Sequence, residues 1–99
     1  MKTLDDRLRE DRRLVMLRIL GESPGFTRNS SQLHAGLEYF AIRISRADLL
    51  ADVRWLADQG LIAIQSVADG VYACTLTHAG TDVMDGATHV MGVARPRQR

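Results

Sequence analysis

Three stretches with apolar residues at helical spacing, a turn signal at Asp69-Gly70 between two β-rich runs, and a helix cap at Thr77 predict a mainly α domain with a β-hairpin. The order α-α-α-β-β-α, with an extended tail behind it, is that of a winged helix-turn-helix, an α+β fold. Ninety-nine residues make one domain, and an apolar content of 45% is ordinary for a globular chain with a modest core. We expect the domain to occupy residues 1–88 and residues 89–99 to form an extended basic tail.

The first helix should run over residues 3–21. Thr3 can cap it, Asp5 and Asp6 suit the positive end of its dipole, and Leu4, Leu8, Val15 and Ile19 share a face. Asp5–Arg9 and Arg7–Asp11 stand at i,i+4 spacing and would support its charged first half. "GESPGF" then breaks the helix with Gly21, Pro24 and Gly25.

A second helix should begin among Asn29, Ser30 and Ser31 and continue to about Arg43, with Leu33, Leu37, Phe40, Ala41 and Ile44 as its apolar stripe. The third, residues 46–59, is capped by Ser45 and stopped by Gly60, and buries Leu49, Leu50, Val53, Leu56 and Ala57. "LIAIQSV" and "VYACTLT" flank the "ADG" turn as the two strands of a wing. The last helix, from "THAGTDVMDG", would pack Ala79, Val83 and Met84 inward.

Charge is unevenly distributed. Residues 47–94 hold one basic residue, Arg54, against six acids, whereas residues 1–46 hold nine basic residues and six acids. The final "RPRQR" adds three arginines. The third helix, which occupies the place of a DNA-reading helix, is therefore acidic. A helical wheel turns Ala47, Asp48, Ala51, Trp55 and Asp58 outward and leaves Asp52 and Arg54 at the edges.

Readers of DNA bases favour Arg, Lys, Asn and Gln on such a face, and affinity rests on neutralised phosphates. The candidate DNA contacts are Ser45, Arg46 and Arg54, with Arg28, Arg43 and the tail arginines Arg95, Arg97 and Arg99. The alternative is a winged helix that has lost DNA binding and docks a phage or host protein through Ala47, Asp48, Ala51, Trp55 and Asp58. Trp55 itself has two readings: an exposed patch on that face, or a side chain folded down onto the wing or the first helix. Tyr39 and Tyr72 read as packing residues rather than base-stacking platforms.

At "RISRADLLADVRWLADQGLIAI…YACTLTHAGTDVMDG" the pattern resembles the arsenic-repressor and multidrug-resistance-repressor winged-helix families. The likeness lies in a Ser-capped recognition helix, an "L…GLI" exit into the wing and an "LT..G" start to the closing helix. Over residues 4–97 the chain also resembles a family of small proteins of Mu-like phages and prophages, often labelled ArsR-type regulators. There it shares the "PGF" break, "WLADQGL", "TLTHAGTDVMDG" and "GVARP". The resemblance implies a winged helix and, by analogy of fold, transcriptional regulation of a phage or prophage through double-stranded DNA. A homodimer through the N-terminal helix is expected with it.

The arsenic-type sensors place paired cysteines in the recognition helix, since soft metals need thiolates. Here that helix reads "SRADLLADVRW", without Cys or His, while Cys74 is alone and His34, His78 and His89 are widely spread. No metal and no cofactor are expected. Nor is an enzyme: no nucleophile–base pair, phosphate loop or paired carboxylates stand at a recognisable spacing. A lone cysteine and an N-terminus with acids where a signal peptide needs apolar residues suggest the cytoplasm.

Overall fold

The computed structural model describes residues 1–97. Its elements are α1 (Leu4–Gly21), a 3₁₀ turn (Pro24–Phe26), β1 (Thr27–Asn29), α2 (Ser30–Tyr39), α3 (Arg46–Asp58), β2 (Ile62–Ala68), β3 (Val71–Leu76) and α4 (His78–Asp85). The three strands form one antiparallel sheet in the order β1-β3-β2. Strand β1 adds to the expected elements, because three residues directly before a helix cap carry no period in the sequence. It is held by pairing with β3, where Thr27 and Thr75 stand opposite and their hydroxyls meet at 2.9 Å.

Local chemistry explains the helix starts. The Thr3 and Asn29 side chains each accept from the backbone three residues on, and Asp6 and Gln32 reach back to the cap in turn. The bond from the Thr3 backbone N–H holds the Asp6 carboxyl below the ordinary carboxylate value. Ser45 and Thr77 cap α3 and α4. The core gathers Met16, Leu17 and Leu20 from α1, Leu33 and Leu37 from α2, Leu49, Val53 and Leu56 from α3, and Leu61, Ile62, Cys74 and Val83 from the wing and α4.

Several expectations are corrected. Helix α2 stops at Tyr39, four residues short of Arg43. The chain then turns through Ala41 at φ 61°, which leaves Phe40 53% exposed and Tyr39 85% exposed instead of packed. Leu4 and Leu8 lie on the surface. In α4, Ala79 faces solvent and Gly80 takes the buried place, because the backbone of Leu61, between α3 and β2, presses against it. Arg9 pairs with Asp6 rather than Asp5, and Glu10 pairs with Lys2.

From residue 89 to residue 97 the chain is irregular, but its first part is docked rather than free. Val93 is buried in the core, and the Ala94 N–H donates to the Glu10 carbonyl of α1. Residues 89–94 are therefore packed against the domain rather than extended from it.

Cys74 is buried in β3, and burial pushes its thiol up to about 11. Two consequences are expected. The native thiol should resist alkylation at pH 8 and react once urea unfolds the chain. Because the folded value is raised above the ordinary 9.0, the stabilisation is complete below pH 9 and is lost as pH rises toward 11. Urea denaturation across that window should show a decline that is reduced in Cys74→Ala.

Candidate nucleic-acid interface

The site forms where α2, α3 and the wing converge. His34 in α2 shares a 2.8 Å bond with the carbonyl of Ile44, the residue before the Ser45 cap, and so holds the start of α3 to α2. Ser30, buried at the start of α2, accepts from the Tyr72 N–H of β3 and ties the wing to the same corner. The wing tip turns at Asp69-Gly70, with an irregular register between Ser66 and Ala68 just before it.

Arg46 lies in this corner. It donates through Nη2 to the Gly70 carbonyl at 2.8 Å and through Nη1 to the Ser31 hydroxyl at 3.4 Å. One side chain thus spans the start of α3, the start of α2 and the tip of the wing. Two turns on, Arg54 extends toward the wing, with Nη2 3.5 Å from the Tyr72 hydroxyl. Both arginines remain exposed, so their outer N–H groups are free for a ligand. Tyr72 is half-buried beneath Arg54, and Ser31 flanks Arg46. Sequence reading singled out neither as a contact, since only the fold brings them beside α3.

The opposite edge of α3 faces α1, and there the charge problem changes. Asp52 is 1% exposed, not an edge residue. Its two oxygens accept from Arg12 Nε at 2.5 Å and Arg13 Nε at 3.0 Å. A carboxylate held between two guanidiniums adds no negative field to the reading face. The exposed charges of α3 are then Arg46, Asp48, Arg54 and Asp58, two of each sign, with the arginines toward the wing and Asp48 toward α1. Between these edges run Ala47 and Ala51, whose small side chains let a partner approach the helix backbone closely.

Trp55 is only half-exposed and packs onto α1. The Arg13 guanidinium carbon lies 3.9 Å from the centre of the ring system, and Arg13 Nη1 also donates to the Gly92 carbonyl. Gly92, at φ 103°, comes so close that a Cβ there would stand 2.6 Å from Trp55 Cζ2. The docked C-terminal segment, α1 and α3 are joined at this indole. Without it, the outward face keeps Ala47, Asp48, Ala51 and Asp58 but no aromatic anchor.

The remaining candidates are spread out. Arg28 is half-buried and donates to the Ser23 hydroxyl at the α1–α2 side. Arg43 is exposed in the turn before α3. Arg95 and Arg97 line a groove on α1 with Asp11 and Glu22, and Arg99 lies outside the described residues. Among the described residues no three His, Cys, Asp or Glu side chains are placed to hold a metal, and no helix is long and apolar enough to cross a membrane.

A helical corner of α1, α2 and α3, a third strand ahead of α2 and a two-stranded wing after α3 define a winged-helix domain. The chain belongs to the same family as gp26 of Escherichia phage Mu, to which it is 40% identical over 96 residues, covering 97% of this chain and 98% of gp26. An uncharacterized protein of Haemophilus influenzae is 37% identical over 68 residues, covering 69% of this chain and 66% of that protein. No family model matches the chain.

Among solved structures, RosR of H. salinarum superposes with a TM-score of 0.65 at 20% identity, over 75% of this chain and 66% of RosR. A complex structure of RosR, hsRosR-S1, gives 0.66 at 21% identity, over 82% of this chain and 70% of that one. The chain thus spans about two thirds of RosR's length, and at this identity the likeness is one of fold.

Proposed function

We propose that the protein is a DNA-binding transcriptional regulator of a phage or prophage, with α3 entering the major groove of double-stranded DNA. The observation that carries this reading is the placement of Arg46. It joins the starts of α2 and α3 to the wing tip on one surface, and the N-terminal ends of both helices turn their positive dipole ends to that corner. Arg54 continues the basic edge, Ser45 and Ser31 supply short polar groups, and Ala47 and Ala51 permit close approach. Membership in the gp26 family supports the phage setting. Arg43, exposed in the turn before α3, would add a phosphate contact that does not depend on sequence. A homodimer through α1 would present two such faces to one duplex.

The test is binding of purified protein to a fluorescent random duplex and to its own upstream DNA, across a salt series. The logarithm of the affinity should fall linearly with the logarithm of salt concentration, at a slope that counts the phosphates neutralised, and the upstream DNA should bind more tightly. Arg46→Glu with Arg54→Glu should weaken binding by about 100-fold or more, since each such contact is worth roughly 1–3 kcal/mol. Unchanged affinity in a folded double variant would place the interface elsewhere. An absence of binding at low salt would favour the protein-docking reading through the part of that face still exposed, Ala47, Asp48, Ala51 and Asp58.

A further inference from the structure

Helix α1 sorts its charges in two. Some are paired within the chain: Arg9 with Asp6, Glu10 with Lys2, and Arg12 and Arg13 with Asp52, while Asp5 is exposed and lies about 100° or more round the helix from Arg7, Asp11, Arg18 and Glu22. Arg7, Asp11, Arg18 and Glu22 stand on the outward stripe, all exposed, and among the described residues none of the four forms an ion pair. Beside them on the same stripe lie apolar side chains that a soluble helix has no reason to turn outward. Leu4 and Leu8 are 71% and 52% exposed, and Val15 and Ile19 are half-buried. With Phe40 and Arg95, the C-terminal half of the stripe lines a groove along α1.

The signs of the four charges alternate from the N-terminus onward: plus at Arg7, minus at Asp11, plus at Arg18, minus at Glu22. Read backward the same stripe is minus, plus, minus, plus. A stripe of that kind is complementary to its own copy when the copy runs antiparallel. We propose that α1 pairs with α1 of a second copy of this chain, antiparallel, about a two-fold axis passing between Leu14 and Val15. This rests on the homodimer reading above and gives it a register.

In that arrangement Arg7 faces Glu22 of the partner subunit and Asp11 faces the partner's Arg18, and symmetry repeats both pairs. Val15 meets its own counterpart near the axis, and the leucines and Ile19 flank it on one side. Successive turns of helix bring all these residues to the same face, so the apolar and charged flanks of the two copies coincide.

The register is selected against its neighbours. Sliding the partner by one turn in one direction places Arg7 opposite the partner's Arg18, and sliding it the other way places Asp11 opposite Glu22 of the partner subunit. A parallel pairing in register would set every charge against its like. Opposite charges in one arrangement and like charges in the others specify orientation more than they add affinity.

Sedimentation equilibrium without DNA provides the test, using the full chain. The wild type should be a dimer, and Arg18→Glu and Asp11→Arg should each weaken self-association by about 10-fold or more, because each change creates two like-charge contacts. Mixing the two variants in equal amounts should restore association to within a few-fold of the wild type. In the mixed dimer, residue 11 of each chain again faces an opposite charge at residue 18 of the other. The mixture also shows that both variants are folded. A monomeric wild type, or single variants that dimerise like it, would overturn the pairing. DNA affinity is read separately, so a dimer that ignores DNA leaves this inference standing and removes the regulatory one.

Discussion

Asp52→Ala should be among the most destabilising single changes in the chain, lowering the unfolding free energy by about 3 kcal/mol in urea denaturation. Asp52 is 1% exposed, and it is the acid that both Arg12 and Arg13 donate to. Truncating one member of a buried ion cluster leaves the others without a partner, which typically costs about 3–5 kcal/mol. The lower figure applies because the arginine side chains are 15% and 11% exposed and can recover part of their hydration.

The same reasoning gives a control. Arg12→Met, Arg13→Met and Asp52→Leu combined should recover most of the loss, since an apolar replacement of the whole cluster avoids the buried charge. If Asp52→Ala proves neutral, the two arginines reach water without it, and α3 is not held to α1 by this cluster. Under the function proposed above, the variant should also weaken DNA binding, because the bonds that orient α3 on its α1 side are lost.

Gly80→Ala should be comparably severe, about 3 kcal/mol, and for a different reason. A Cβ on Gly80 would fall on the Leu61 carbonyl oxygen and come within 2.7 Å of Leu76 Cδ1. That carbonyl is already fixed by the Thr77 N–H, and the Thr77 hydroxyl donates to the Gly60 carbonyl beside it. Backbone on both sides prevents the close contact from relaxing by rotation of a side chain, which is where overpacking costs most.

Gly36→Ala is the matched comparison. There the new Cβ would meet Ile19 Cδ1 at 2.9 Å, the far end of a flexible side chain. The gain of about 1 kcal/mol from replacing a mid-helix glycine should offset most of the crowding. Thermal melts of the two variants should differ by a large margin; equal melts would mean that α4 can move off the Leu61 loop at little cost.

The Gly80 junction also shows how far the sequence was legible. "GLI" and "LT..G" read as two separate signals, an exit into the wing and the start of a helix. In the fold they are two sides of one joint, in which Thr77 bonds the carbonyls of Gly60 and Leu61 and Gly80 leaves them room. Caps and stops are local chemistry, so Thr3, Ser45, Gly60 and Thr77 could be placed without a structure. The helical and hairpin elements followed from periodicity, since each buries one face and that face repeats. Helix α2 is shorter than its pattern suggests because Phe40 and Ala41 continue an apolar pattern that the turn at Ala41 interrupts.

What the sequence by itself determined is the winged-helix plan: where each helix starts, which leucines of the second and third helices turn inward at Leu33, Leu37, Leu49 and Leu56, and that Arg46 and Arg54 are the basic residues of the third helix. Tertiary structure alone decided how the charges of that helix count. A wheel treats Asp52 and Trp55 as residues of an isolated cylinder, near or on its outward side. In the fold, Arg12 and Arg13 come to them from forty residues earlier in the chain, neutralising one and covering the other, while Gly92 closes from the C-terminal side. Local pattern fixes what a residue can do within a turn or two of helix, but the sign of a surface depends on every charge that folding brings within a few ångströms.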